Sequence, residues 1–120
     1  DIWAGDVVEV FVSLGERPTP YRHFIVDTRN LQWDGESSES GDDDRRFDAE
    51  WLSAVEVGDT EWTAEMAIPW AVVGGRPRPG ESRRVNLCRE RCPVRELSSW
   101  SSIVRGFLEP KHFGTLVFAG

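Results

Sequence analysis

Apolar and polar residues alternate along positions 6–13, with Val8, Val10 and Val12 on one side of an extended chain and Val7, Glu9 and Phe11 on the other. The stretch reads as a strand covered on both faces. Positions 21–28 repeat the pattern, Phe24 and Val26 against His23 and Ile25, after the turn-forming residues of positions 15–20. The two segments predict a hairpin. Strand character returns at 51–57, and a turn at Asp59 and Thr60 leads into 61–68, where Trp62, Ala64, Met66 and Ile68 share a side and Pro69 ends the run. Positions 70–73 predict one helical turn before a Gly- and Pro-rich loop. Along 83–90, Val85 and Leu87 face the core while Arg84, Asn86, Cys88 and Glu90 form a polar opposite face. A segment around Trp100 and a last strand at 115–119 complete the set. Positions 30–48 differ, because Glu36, Glu39, Asp42, Asp43 and Asp44 crowd among Ser and Gly; this composition buries little and predicts an exposed loop. Six or seven short strands with no long helical period predict an all-β chain, an antiparallel sandwich or open barrel.

With 120 residues and 39% hydrophobic content, the chain suits one domain with one core. Its formal net charge of -7 argues against a nucleic-acid partner, which is bound chiefly through Lys and Arg. No apolar run approaches the roughly 18 residues of a membrane span. The chain starts at Asp1 without a leader, and is expected to be a slice of a longer protein. Cys88 and Cys92 have a spacing unlike common zinc sites; ordinary thiols are preferred, a disulfide across a local turn being the alternative.

Six tryptophans are many for this length. Sugars present apolar C–H faces and a rim of hydroxyls, so their sites pair aromatic platforms with carboxylate, amide or guanidinium groups. Trp51 and Trp62 sit in strand patterns and read as core, whereas Trp3 lies among small and polar neighbours and reads as an exposed ring. Glu9 interrupts an apolar strand and must be hydrogen-bonded or paired. It is either one half of a structural ion pair with Arg89 or Arg84, or a ligand-binding group. Glu65 reads as structurally paired. His23 and His112 have no recognisable partner, and no catalytic motif is present. Asp42, Asp43 and Asp44 lack the order of an EF-hand loop, so a solvated loop is preferred over structural calcium. No cofactor is expected; Met66, the only methionine, reads as core and not as a haem ligand.

Several segments in order resemble the family 9 carbohydrate-binding modules. They are Trp3-Ala4-Gly5-Asp6-Val7-Val8-Glu9-Val10-Phe11, His23-Phe24-Ile25-Val26-Asp27, Trp62-Thr63-Ala64-Glu65-Met66-Ala67-Ile68-Pro69-Trp70, Val85-Asn86-Leu87, Trp100-Ser101 and Pro110-Lys111-His112-Phe113-Gly114. The resemblance runs nearly end to end. It implies an immunoglobulin-like, DOMON-like antiparallel β-sandwich, here covering the C-terminal portion of the domain (residues 1–120) without its first strands. It also implies a non-catalytic accessory module of a larger secreted protein, at an extracellular, periplasmic or cell-surface location. The implied partner is a polysaccharide or oligosaccharide of the xylan or cellulose type, with no nucleic acid and no membrane insertion, and the module is covalently linked to further domains. Those domains include, in some relatives, a glycoside hydrolase. By the same resemblance Trp3 and Phe107 stack on the sugar and Glu9 hydrogen-bonds it; from their own chemistry, Asn86 is expected to add a hydrogen bond and Arg89 to orient Glu9 or touch a hydroxyl. Two departures stand out: Phe107 replaces a larger Trp, and Ile25 occupies the position of a ligand-binding Arg. They leave a second reading, a structural or interaction domain without sugar affinity.

Overall fold

A computed structural model describes residues 2, 5–41, 43–91, 96–101 and 107–119. Among them the chain forms nine strands: β1 (Val7–Ser13), β2 (Tyr21–Asp27), β3 (Gln32–Ser37), β4 (Asp44–Arg46), β5 (Leu52–Val57), β6 (Trp62–Ala67), β7 (Ser82–Arg91), β8 (Glu96–Ser99) and β9 (Gly114–Val117). The architecture is all-β, every pairing is antiparallel, and the sheets are open. The larger sheet runs β4-β3-β2-β1-β7, and β8 and β9 both pair with β7. β9 pairs with its first half and β8 with its second. β5 and β6 form a separate hairpin.

The alternation of β1 sorts the core into two sides. Val8, Val10 and Val12 pack with Phe24, Val26 and Trp51 against Val55, Ala64, Met66 and Ile68 of the hairpin. Each fully covered aliphatic or aromatic side chain here contributes about 1.5–3 kcal/mol. On the opposite side, Phe11, Tyr21, Cys88 and Phe113 form one cluster, joined by Phe107, and Ile2, Val7 and Ile25 form another, joined by Trp33. The helical turn falls at Trp70–Val73, where the sequence predicts it. The Arg22 guanidinium donates to Val72 O at 2.7 Å, and Arg83 donates to the carbonyls of Val73 and Gly75. Gly74 closes this turn at φ 90°, and a Cβ there would lie 2.2 Å from the Leu14 carbonyl oxygen. Only glycine permits both that dihedral and that approach.

Two expectations are corrected. Positions 30–48 are not one exposed loop, since they contain β3 and β4. Their polar side chains are drawn inward by specific partners: Asp34 is buried and accepts from Trp51 Nε1 at 3.0 Å and Ala49 N at 2.9 Å. These bonds offset the weak strand propensity of Asp, Ser and Gly. Leu87, expected in the core, is 51% exposed, although Val85 two residues earlier on the same side is buried. Trp51 is buried as expected, and Trp62 is only partly so.

A Gly74→Ala substitution is expected to destabilise the domain by about 2 kcal/mol or more, combining the left-handed penalty with the clash at Leu14. Urea unfolding of the variant beside the parent measures it.

Candidate functional site

Cross-strand register brings an unusual group of polar residues to the side of the sheet away from the hairpin. Glu9 lies opposite Ile25 on β2 and Cys88 on β7, while Phe11 lies opposite His23 and Asn86. His23 is in turn opposite Gly35 on β3. The His23 ring stacks on Phe11 at 3.8 Å and 19°, and Trp33 meets it edge-on at 5.6 Å. Its two nitrogens are each taken by a carboxylate: Nε2 is 2.7 Å from Glu9 Oε1, and Nδ1 is 2.5 Å from Asp44 Oδ2. Asp44 belongs to β4, beyond β3, and reaches the imidazole past Gly35. A Cβ at Gly35 would lie 2.6 Å from Asp44 Oδ1 and 2.4 Å from the Trp33 ring. The missing side chain is therefore what admits both groups.

All three members are buried, with side chains 5%, 5% and 8% exposed for His23, Glu9 and Asp44. Burial alone pushes the His23 pKa down, but the hydrogen bonds to Asp44 and Glu9 and their charges outweigh it, and the pKa is raised above its ordinary value of 6.5. With a carboxyl oxygen at hydrogen-bonding distance from each nitrogen, the arrangement favours the imidazolium, which donates from both. Nearby groups are held neutral. Burial pushes the Cys88 thiol up to about 12, the Ser99 hydroxyl drawing it down a little and the Glu9 charge raising it again; such a thiol is unreactive. Tyr21 is shifted well above the usual phenol range by burial and then by the charges of Asp44 and Asp43. Tyr21 Oη and Asp44 Oδ1 are buried without a hydrogen-bond partner.

The five residues expected to bind sugar are distributed differently. Glu9 is central, 4% exposed, with Oε1 given to His23. Phe107 packs on the Phe11, Tyr21, Cys88 and Phe113 cluster, beside Glu9's cross-strand neighbour. Asn86 is on the same side but wholly buried, and its amide is spent on the fold: Oδ1 accepts from Leu87 N and Ser101 N, and Nδ2 donates to Ser99 Oγ at 2.8 Å. It braces the junction where β9 gives way to β8. Arg89 corrects the expectation that it orients Glu9, because it pairs with Val8 and so falls on the hairpin side, bound to Glu96 Oε1 at 2.9 Å. Arg84 donates to the Phe113 carbonyl instead. His23 takes the role assigned to these arginines. Trp3 lies outside the described residues, as does Cys92; Cys88 is a free thiol.

Of the acidic run, Asp42 lies outside the described residues, Asp43 is exposed and accepts from Ser38 N, and Asp44 is buried against His23. Among the described residues no three His, Cys, Asp or Glu side chains are grouped to hold a metal. Met66 packs beneath the hairpin. No helix among the described residues is long and apolar enough to cross a membrane. Comparison with protein-family models, curated proteins and solved structures finds no match to this chain.

The sequence held part of the signal for this cluster. Glu9 and His23 each interrupt an apolar alternation on strands predicted to pair, and the register of that pairing sets both on one side. Asp44, in a segment of Ser, Gly and Asp, carries no such mark.

Replacing His23 by Gln leaves two carboxylates buried without a cation, and is expected to cost about 3–5 kcal/mol. The pH dependence has a definite sign. Because the folded-state pKa of His23 is raised, its contribution is fully present below pH 6.5 and is lost as pH rises through the folded value. Thermal melts from pH 6 upward should show the parent losing stability as pH rises beyond 6.5, with this component absent from His23→Gln; parallel profiles would contradict the assignment of an imidazolium.

Proposed function

We propose that this domain is a non-catalytic carbohydrate-binding module of the family 9 type. In this reading it is a DOMON-like β-sandwich lacking its first strands, and it serves as an accessory part of a larger secreted or surface protein. One observation supports the reading most directly: the carboxylate that the resemblance assigns to ligand binding, Glu9, is held by His23 at 2.7 Å, on the side of the sheet where Phe107 packs. A carboxylate oriented by an imidazolium suits the hydroxyl rim of a pyranose. The sugar would stack on Trp3 and Phe107 and hydrogen-bond to Glu9.

Glycoside hydrolysis is a poorer reading. It calls for two carboxylates on either side of a scissile bond, whereas the His23 ring fills the space between Glu9 and Asp44. A structural or interaction domain without sugar affinity is the second reading. It is favoured by the burial of all three ligand positions: Ile25, where the resemblance puts an Arg, and Asn86 are wholly buried, and Glu9 is 4% exposed.

Calorimetric titration with xylan, cellulose and their oligosaccharides separates the two. Binding is expected, and Trp3→Ala should weaken it by about 2 kcal/mol or more, roughly thirtyfold, with an unchanged melting temperature. No heat with any glycan would favour the interaction domain.

A further inference from the structure

A second surface combines an aromatic ring with charged groups, on the hairpin side of the sheet and away from Glu9. The turn joining β5 to β6, closed by a Gly58 N to Glu61 O hydrogen bond of 2.8 Å, overhangs the cross-strand pair Val8 and Arg89. A groove of about 590 Å³ lies between them, within the roughly 300–1,000 Å³ of small-molecule sites. Trp62, the first residue of β6, lines it, with Arg89, Arg91 and Asp6 on the sheet side and Asp59 and Glu61 on the turn. Arg89 and Arg91 both approach Glu96, at 2.9 and 3.8 Å, so guanidinium and carboxylate groups stand side by side in the groove. The guanidinium groups stay accessible, with side chains 47% and 60% exposed.

A groove that carries both guanidinium and carboxylate groups selects by charge. A polyanion meets Asp59 and Glu61 within a chain of net charge -7, and a polycation meets two arginines. A neutral molecule whose hydroxyls both donate and accept can use both kinds of group, and its C–H face can lie on an indole. We infer that this groove is a second carbohydrate site, taking a neutral oligosaccharide with Trp62 as platform and Arg89 and Arg91 as hydrogen-bond donors. The inference rests on the glycan-binding reading above and extends it to the opposite side of the sheet. It also gives Arg89 a part in sugar recognition independent of Glu9.

The test is titration of the 15N-labelled protein with cellohexaose and xylohexaose, followed by amide shifts. Shifts are expected at residues 58–62, and an Arg89→Ala, Arg91→Ala double variant should weaken binding at those signals about tenfold or more, the loss of one or two hydrogen bonds to charged donors. Trp62→Phe, which keeps most of the packing, should weaken it further. If glycan binds but those amides stay still and both variants bind like the parent, the groove inference is overturned while the reading of the Glu9 side stands. If an oligogalacturonate binds the groove and neither neutral sugar does, its selectivity is misassigned and the inference falls. If the parent binds no glycan, both readings fall together.

Discussion

The imidazolium of His23, clasped between Glu9 and Asp44, is the interaction around which one side of the sheet is arranged. It joins β1, β2 and β4 through side chains, across the gap left by Gly35, in addition to the backbone ladder. A buried ion cluster of this kind adds little to stability relative to a well-packed apolar substitute, because desolvating three charges offsets most of their attraction. Its consequence is specificity of arrangement. Two carboxylates must find one ring, and this fixes how the three-residue strand β4 sits against β3. The surrounding aromatics, Phe11 below the ring and Trp33 at its edge, exclude water and strengthen every electrostatic term within.

The far edge of the sheet is organised by a different device. β7 is ten residues long and has two successive partners along one edge, which leaves a discontinuity near Asn86 and Leu87. The Asn86 amide closes it with three hydrogen bonds to Leu87, Ser99 and Ser101. Arg84 ties the chain before β9 to β7 through the Phe113 carbonyl. Residues whose chemistry suits ligand binding are thus used to hold strands, and burial separates the two uses. Asn86 has no surface left for a ligand, while Arg89, one residue past Cys88 and on the opposite side, keeps about half of its own.

Much of the fold was legible in the residue pattern. The period-2 alternations of β1, β2, β6 and β7 are long enough to specify both the strands and which residues share a side, and Pro69 and Gly74 mark their breaks. β3 and β4 escaped because their stability is borrowed. Asp34 and Asp44 look like loop residues until Trp51 and His23, distant in sequence, supply their partners. At the site, Glu9 could be singled out as a polar residue in an apolar strand, but not matched to its partner. Of the two arginines that charge offers as its counter-ion, Arg89 is set by the alternation of β7 on the other side from Cys88, and Arg84 bonds the Phe113 carbonyl.

By itself the sequence determined the class of the protein: an acidic, all-β chain with paired antiparallel strands, a carboxylate at position 9 facing one side and a hydrophobic row of valines facing the other. These follow from local periodicity, because successive side chains on a strand alternate whatever the rest of the chain does. Only the tertiary structure decided that Glu9 is neutralised by His23, that Asp44 leaves its acidic neighbours to join them, and that Trp62 and Arg89 meet in a groove. Each of these depends on residues well separated along the chain, 14 positions for Glu9 and His23 and 21 for His23 and Asp44, being brought together. That proximity is set by strand order and register, which no local pattern encodes.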